Sequence, residues 1–457
     1  MKELTLKQIA DWCGGTVAPE YETVPVTGVE SDSRKVEVGD LFVALRGERV
    51  DGHDFIPSAK TLGASAALVS RPSEELPCVV VESPLRAYGE IAKHYREMTG
   101  VKVVGITGSV GKTTTKEMIA NVLSRDFKLY KSEGNHNNEI GLPMTVMNMP
   151  EDTELLVAEL GTNHPGEIAY LSAIAQPDYA VITNIGIAHI EYLGSREGIL
   201  REKLDILRSS LKNTVGIFNG DEPLLWNVRD KGTHKKYYFG IDNPSCDVVA
   251  SGIQELDDGM RFHVSGFHHE FELFVPALGR HMVYNALAAA TVGLAMGVKP
   301  ETIQNELSIF RNTGMRQKIY EKNGMTIIED CYNAGPESTE AALGVLASVK
   351  TSGKRIAVLG DMLELGNRSS AEHYRIGRIA AQKADLLLTY GAHSVRTVTG
   401  AITGGMSPKN AEHFDTHEDL VRMLKMRAGE ADVILFKGSR GMKMERVLQM
   451  FLDDHKV

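Results

Sequence analysis

The apolar positions of this chain fall into short runs set between amphipathic segments, and the rhythm changes twice. From residue 101 to about 313, apolar runs at 101–106 (VKVVGI), 154–160 (ELLVAEL), 179–186 (YAVITNIG) and 214–219 (TVGIFN) alternate with helical patterns at 112–123 (KTTTKEMIANVL) and 196–211 (REGILREKLDILRSSL). Continuous apolar runs of strand length between helices of period 3.6 predict a mostly parallel sheet covered on both faces. Four further runs at 235–240, 247–253, 260–265 and 270–276 follow one another directly, and predict antiparallel strands extending one side of that sheet. A helix is predicted over 284–297, ended by Gly297.

The alternation restarts from about 314. Strands are predicted at 325–330, 355–360, 385–391 and 432–438, and helices at 337–349, 371–382 and 443–452. This unit reads as Rossmann-like. It lacks an early GxGxxG, so dinucleotide binding is not predicted there. At the other end, a short helix over 4–15 precedes strands at 24–30, 40–45 and 66–70, parted by Gly-Asp and Asp-Gly turns. The expected organisation is α/β throughout, in three domains: a small α/β domain over 1–98, a central P-loop ATPase-like domain over 99–313, and a C-terminal Rossmann-like domain over 314–457. No repeat of 20–50 residues interrupts it.

Composition narrows the class. The chain has 457 residues, 42% hydrophobic and 24% charged, an ordinary globular balance with ample core. A net charge of −10 argues against a nucleic-acid partner, which needs a basic face. No secretion signal and no run of about 18 apolar residues is present, so neither export nor a membrane span is expected. Cys13, Cys78, Cys246 and Cys331 are far apart and form no CxxC pair, as reduced thiols of a cytoplasmic protein would be. The adjacent His268 and His269 are expected in an exposed hairpin.

The sharpest chemical signal is GITGSVGKTTT at 105–115, directly after an apolar strand. A strand entering a glycine-rich loop that ends in Lys-Thr at a helix start cradles a polyphosphate, with backbone N–H groups facing the anion. Gly108, Ser109, Gly111, Lys112, Thr113 and Thr114 would form this cradle. Lys112 would meet the β/γ oxygens and Thr113 would reach Mg²⁺. The spacing departs from the strict pattern of four intervening residues, since five residues separate Gly105 from Gly111 and only two separate Gly108 from it. Acidic side chains at the C-terminal ends of parallel strands face a ligand crevice. Glu159 ends one such strand and would bind the metal directly or through water; the alternative is a solvated strand-end carboxylate. His189 follows the next strand and would share that crevice. In the third unit Asp330, Asn333, Asp361, Glu364 and the loop Lys437–Arg440 all follow strands and so would share one rim, or else serve as ordinary turn and cap residues.

Taken together, SDSR at 31–34, GDLFVALRG at 39–47, DGHDFI at 51–56, TGSVGKTTTK at 107–116, GNHNNEIGLP at 134–143, AEL at 158–160, NIGIAHIEYLGS at 184–195, EDCYNAGPES at 329–338, LGDMLELG at 359–366 and KGSRGMKME at 437–445 resemble the Mur ligase family. These are the ATP-dependent amino-acid or peptide ligases of peptidoglycan synthesis. The resemblance covers nearly the whole chain, and the TG-x-x-GKTT form of the family loop accounts for the loose spacing. It implies ATP and two Mg²⁺ as cofactors, with Glu159 and His189 as metal ligands. Lys203, fourteen residues beyond His189, matches a carbamylated lysine that helps bind a second Mg²⁺. Asn285 matches the asparagine near the adenine, and Arg316 and Asp330 match third-domain residues that contact the nucleotide. Ser33 and Arg34 are implied beside the UDP-sugar, and Asn135, Asn137 and Asn138 beside the sugar-peptide. Asn333, Asp361 and Arg440 are implied at the amine substrate; for Arg440, helix capping or pairing with Glu445 is the alternative. Gly335 stands where the family usually has asparagine.

NNEIG and GDMLELG resemble the branch that adds D-alanyl-D-alanine to a UDP-N-acetylmuramoyl-tripeptide, and the Asp-Asn-Pro-Arg type signature of the diaminopimelate- or lysine-adding branch is missing. Lys112, His189 and Lys203 are the implied catalytic residues. A cytoplasmic monomer acting on small molecules, with no nucleic-acid or membrane partner, is expected. The rival readings are a family member that adds a single amino acid and a nucleotide-gated scaffold without catalysis.

Overall fold

The computed structural model describes residues 1–47, 49–208 and 213–453. Its centre is a nine-stranded sheet ordered His269–Val275, Met260–Gly266, Val248–Glu255, Lys236–Gly240, Val215–Asn219, Tyr179–Ile182, Lys102–Thr107, Leu155–Glu159, Leu129–Lys131. From Leu129–Lys131 through Val248–Glu255 every pairing is parallel; the last two are antiparallel. The apolar runs of the parallel strands are continuous because both faces are buried. Val103, Leu156, Ala158, Ala180 and Ile182 enter one core. Val104, Ile106, Leu155, Val157 and Val181 enter the other, under the helices Lys112–Leu123 and Arg280–Ala295.

Two expectations change here, and the end of a third element lies outside the described residues. The strand Lys236–Gly240 is not antiparallel: it pairs parallel on both sides. Its polar start hides a buried end, with Tyr238 in one core and Phe239 in the other, as befits a strand covered on both faces. The helix predicted to begin at 284 begins at Arg280, and Met296 caps it; Gly297 lies one position further, at φ 84°. The helix predicted over 196–211 runs as Arg196–Arg208, and 209–211 lie outside the described residues.

The N-terminal unit holds a four-stranded parallel sheet, Gly28–Glu30, Asp40–Val43, Ala66–Val69 and Cys78–Val80. The helix Pro84–Thr99, unforeseen in the sequence, leads out of it to Gly100 in the left-handed conformation. This helix packs on Gly141–Met147 and Glu167–Ala175 of the central unit. Near its end, buried Arg96 donates to Ala175 O (3.2 Å), Gln176 O (2.9 Å) and Asp178 (3.2 Å). The C-terminal unit is a six-stranded sheet ordered Lys318–Lys322, Met325–Asp330, Val433–Lys437, Arg355–Gly360, Leu386–Tyr390, Ala411–Phe414, parallel except for the first pair. Asp330 and Lys437, which end neighbouring strands, face the central sheet across a crevice of about 1020 Å³.

Candidate active site

The crevice opens where the central sheet changes direction. Lys102–Thr107 lies between Tyr179–Ile182 and Leu155–Glu159, and ligands of open α/β sheets bind at such a switch point, beyond the strand C-termini. The loop that follows Thr107 can only be built with glycine at two places. Gly108 has φ 152°, and a Cβ there would lie 1.8 Å from Thr183 Oγ1. Gly111 has φ 83°, and a Cβ there would lie 2.7 Å from Asn285 Oδ1. Asn285 therefore sits against the loop, and also accepts from Thr115 Oγ1 at 3.1 Å. Asn184, which the sequence did not single out, accepts from both Ser109 N and Val110 N at 3.0 Å. Ser109 Oγ in turn accepts from Gly186 N at 2.9 Å.

Lys112 Nζ donates to Gly108 O at 2.9 Å, closing the loop on itself. Burial lowers its pKa, Glu159 opposes this, and Arg316 adds to the lowering. Thr113 Oγ1 donates to Glu159 Oε2 at 2.6 Å, and Asn137 Nδ2 donates to Glu159 Oε1 at 2.8 Å. Glu159 is only 3% exposed, so the solvated-carboxylate reading does not hold. Thr114, Asn135 and Asn138 line the same crevice; Asn138 also caps the helix Gly141–Met147 through Gly141 N at 2.9 Å.

His189, at φ 59°, presents Nδ1 at 2.5 Å from Glu364 Oε2 of the C-terminal unit. Lys203, on the helix Arg196–Arg208, is 2% exposed. Its ammonium has no hydrogen bond or ion pair among the described residues. Burial and the charge of Lys112 push its pKa well below the ordinary value, against Glu202. A buried amine of this kind is held toward its neutral, nucleophilic form.

On the opposite wall, the Arg316 guanidinium stacks 3.8 Å over the Tyr332 ring. Asp330 accepts from Lys437 Nζ at 2.6 Å and from Gln317 N at 3.2 Å. Lys437 also donates to Asn333 O at 3.0 Å, and Asn333 Oδ1 caps its own turn at Ala334 N, 2.9 Å. Six expected residues do not line this crevice: Gly108, which Lys112 contacts, buried Lys203, and the four that follow. Ser33 and Arg34 sit on the loop after Gly28–Glu30, where exposed Arg34 pairs with Asp32 at 2.7 Å. Asp361 is corrected as a substrate contact: its carboxylate is 2% exposed and is used by Ser394 N (2.7 Å) and His393 N (3.0 Å). It builds the loop that carries Glu364. Arg440 pairs with Glu445 at 3.0 Å, which is the alternative left open for it.

Among the described residues no three His, Cys, Asp or Glu side chains cluster as a ready metal site. The donors that are present still suit a hard cation: the Thr113 hydroxyl beside the buried Glu159 carboxylate, with oxygen ligands preferred by Mg²⁺. Lys203, enclosed near Lys112 and Glu202, makes no ion pair among the described residues.

Comparison with known proteins agrees with this geometry. Residues 25–108 match the Mur ligase family catalytic domain, 106–293 the Mur ligase middle domain, and 315–440 the Mur ligase glutamate ligase domain. The UDP-N-acetylmuramoyl-tripeptide–D-alanyl-D-alanine ligase of Bacillus subtilis (strain 168) is 41% identical, over 99% of both chains. The enzyme of the same name from Escherichia coli (strain K12) is 35% identical over 98% of both. Among solved structures, MurF from Acinetobacter baumannii superposes with a TM-score of 0.91 at 32% identity, over 99% of this chain and 100% of that one. MurF ligase from Thermotoga maritima, solved in complex with ADP, gives 0.82 at 31% identity over 94% and 97%. Sequence likeness along the full length and the three-unit crevice agree: this chain belongs to the Mur ligase family.

Proposed function

We propose that this protein joins D-alanyl-D-alanine to UDP-N-acetylmuramoyl-tripeptide at the expense of ATP, releasing ADP and phosphate. The observation that carries the reading is the crevice itself. A phosphate loop on one wall and an Asp330–Lys437–Arg316 wall on another unit leave room for a nucleotide and an activated carboxylate between them. Full-length similarity to ligases of that name supports the choice of substrates.

A carboxylate is a poor electrophile toward an amine. The terminal carboxylate of the tripeptide first attacks the γ-phosphorus of ATP, and ADP leaves. The amine of D-alanyl-D-alanine then adds to the carbon of the acyl phosphate; the tetrahedral adduct loses a proton and expels phosphate, leaving the amide. Lys112 is positioned to place its charge on the transferring phosphoryl group, which carries the developing negative charge of the first step. Thr113, Glu159, His189 and a carbamylated Lys203 would hold two Mg²⁺, which when bound would spread that charge further. Glu364 takes Nδ1 of His189 and so leaves Nε2 as the nitrogen available to a cation, as a carboxylate commonly orients a metal-binding imidazole. Asn137 holds Glu159 from the substrate side.

The nucleotide contacts assigned to Asn285, Arg316 and Asp330, the sugar-peptide contacts assigned to Asn135, Asn137 and Asn138, and the division at residues 98 and 313 belong to the same proposal. So does action as a cytoplasmic monomer on small molecules. The only statement about membranes that the fold makes is that no described helix is long and apolar enough to cross one. The test is phosphate release with ATP, the UDP-tripeptide and the dipeptide. Release that depends on all three supports the ligase; release without the dipeptide, or none, rejects it.

A further inference from the structure

Arg86 and Glu139 have no part in the chemistry above, yet both line the crevice. Arg86 belongs to the helix Pro84–Thr99 of the N-terminal unit, and its guanidinium lies 4.4 Å from the centroid of the Tyr170 ring. Tyr170, on Glu167–Ala175, is wedged against that helix where Gly89 has no side chain; a Cβ there would fall 2.1 Å from Tyr170 Oη. The platform under Arg86 is therefore fixed by the contact between two units. Stacking on an aromatic face orients a guanidinium and leaves its N–H edge available.

Glu139 follows Asn138 on the loop whose Asn137 holds Glu159. The Tyr170 phenol is raised by burial, lowered by Arg86 and raised again by Glu139, so both charges act on one ring. Neither Arg86 nor Glu139 forms an ion pair among the described residues, with each other or with any neighbour. Two opposite charges that line one crevice and form no ion pair are complementary to a group that carries both signs.

We propose that Arg86 and Glu139 form the subsite for the far end of the tripeptide's third residue, and that they select a side chain ending in an α-amino-acid group, of the diaminopimelate type, over one ending in an amine alone. Arg86 takes the carboxylate through charge-assisted hydrogen bonds and Glu139 the ammonium. A lysine at the same place satisfies Glu139 and leaves Arg86 without a partner. This rests on the ligase reading given above. A site built to bind a polar group discriminates strongly against the analogue that lacks it.

The test uses the full-length enzyme with saturating ATP and D-alanyl-D-alanine, and UDP-tripeptides ending in meso-diaminopimelate or in L-lysine. The wild type should show the higher kcat/KM with diaminopimelate. Arg86→Ala should raise KM for that tripeptide by about ten- to hundredfold with kcat nearly kept, and leave the lysine tripeptide within about twofold. Arg86→Lys should recover part of the loss, and Glu139→Gln should raise KM for both tripeptides. A wild type that does not prefer diaminopimelate, or an Arg86→Ala variant that affects both tripeptides alike or neither, overturns the proposal; unchanged ADP affinity shows that a variant is folded. If the wild type turned over neither tripeptide, the ligase reading itself would fall and the subsite with it.

Discussion

At the scale of single residues, the proposed mechanism gives two lysines different parts. Lys112 is spent on its own loop, 2.9 Å from Gly108 O, and must leave that carbonyl to meet a phosphate. Lys112→Ala removes one preorganised charge from the phosphoryl group in transit. We expect it to lose about 2–4 kcal/mol of transition-state stabilisation, the scale of one such donor, read as kcat/KM; activity within threefold of wild type would reject the role. Lys203 is enclosed beside Lys112 with no anion of its own. Its lowered pKa keeps more of the amine neutral near pH 7, and a neutral amine is what adds to CO₂. With carbon-13-labelled bicarbonate, a carbamate carbonyl resonance should appear in the wild type and be missing in Lys203→Ala. It should fade as acid protonates the amine. The alanine variant should be nearly inactive and regain part of its activity with short-chain carboxylates; full activity without them would make Lys203 a structural charge. Lys112, Thr113 and Glu159 were legible in the sequence because chain neighbours, a strand and a helix start fix where they point. Asn184 and Glu364 were not, because their partners, the loop amides and His189, lie far away in the chain. Asp361 misled for the opposite reason: an acidic residue after a strand turned inward to hold the neighbouring loop.

At the scale of elements, the segment after Tyr179–Ile182 is clamped by the C-terminal unit at three points. Glu337, in the first turn of the helix Pro336–Ser348, accepts from Ile187 N at 2.9 Å. Glu364 holds His189, and Gly366 packs against Glu191. Gly186 is required for the first contact, since a Cβ there would lie 2.6 Å from Glu337 Oε1. Glu337→Ala removes a charged acceptor from a backbone amide, an interaction of about 1.5–3 kcal/mol, from the contact between the two units. We expect a larger radius of gyration in small-angle scattering without ligand and a lower kcat, with ADP affinity of the central unit little changed. An unaltered scattering curve together with unaltered kcat would show that this contact does not hold the units together. The strands and helices that build the clamp were legible from their periodicity. The clamp was not, because periodicity reports which face of an element is buried and not which unit covers it. The same limit explains Lys236–Gly240, whose parallel pairing depends on cover from both sides.

At the scale of the molecule, the crevice belongs unequally to the three units. Its lining comes mainly from the central and C-terminal units, with Arg86 as the contribution of the first. The first unit is nevertheless continuous with the rest, since Leu41 and Val43 share an apolar core with Leu156, Ala180 and Ile328. A nucleotide held between Lys112 and Arg316 should therefore tie two units together and reach the third only through packing. Ligand that binds the folded state alone stabilises it by mass action, about 2.7 kcal/mol at a hundred times Kd. Hydrogen exchange with and without saturating ADP separates direct from transmitted protection. Slower exchange is expected at 107–115, 185–191 and 315–333, which carry the phosphate loop, the clamped segment and the Arg316–Asp330 wall. The sheet strands Gly28–Glu30 and Asp40–Val43 should exchange as before, because the loop between them does not line the crevice and Arg34 is engaged with Asp32. Protection confined to 107–115 would mean that ADP alone does not join the C-terminal unit to the central one, and the contacts assigned to Arg316 and Asp330 would fail. Protection spread evenly over all three sheets would mean that the molecule opens as one cooperative body, and the division into a nucleotide-bearing pair and a separate sugar-binding unit would fail instead.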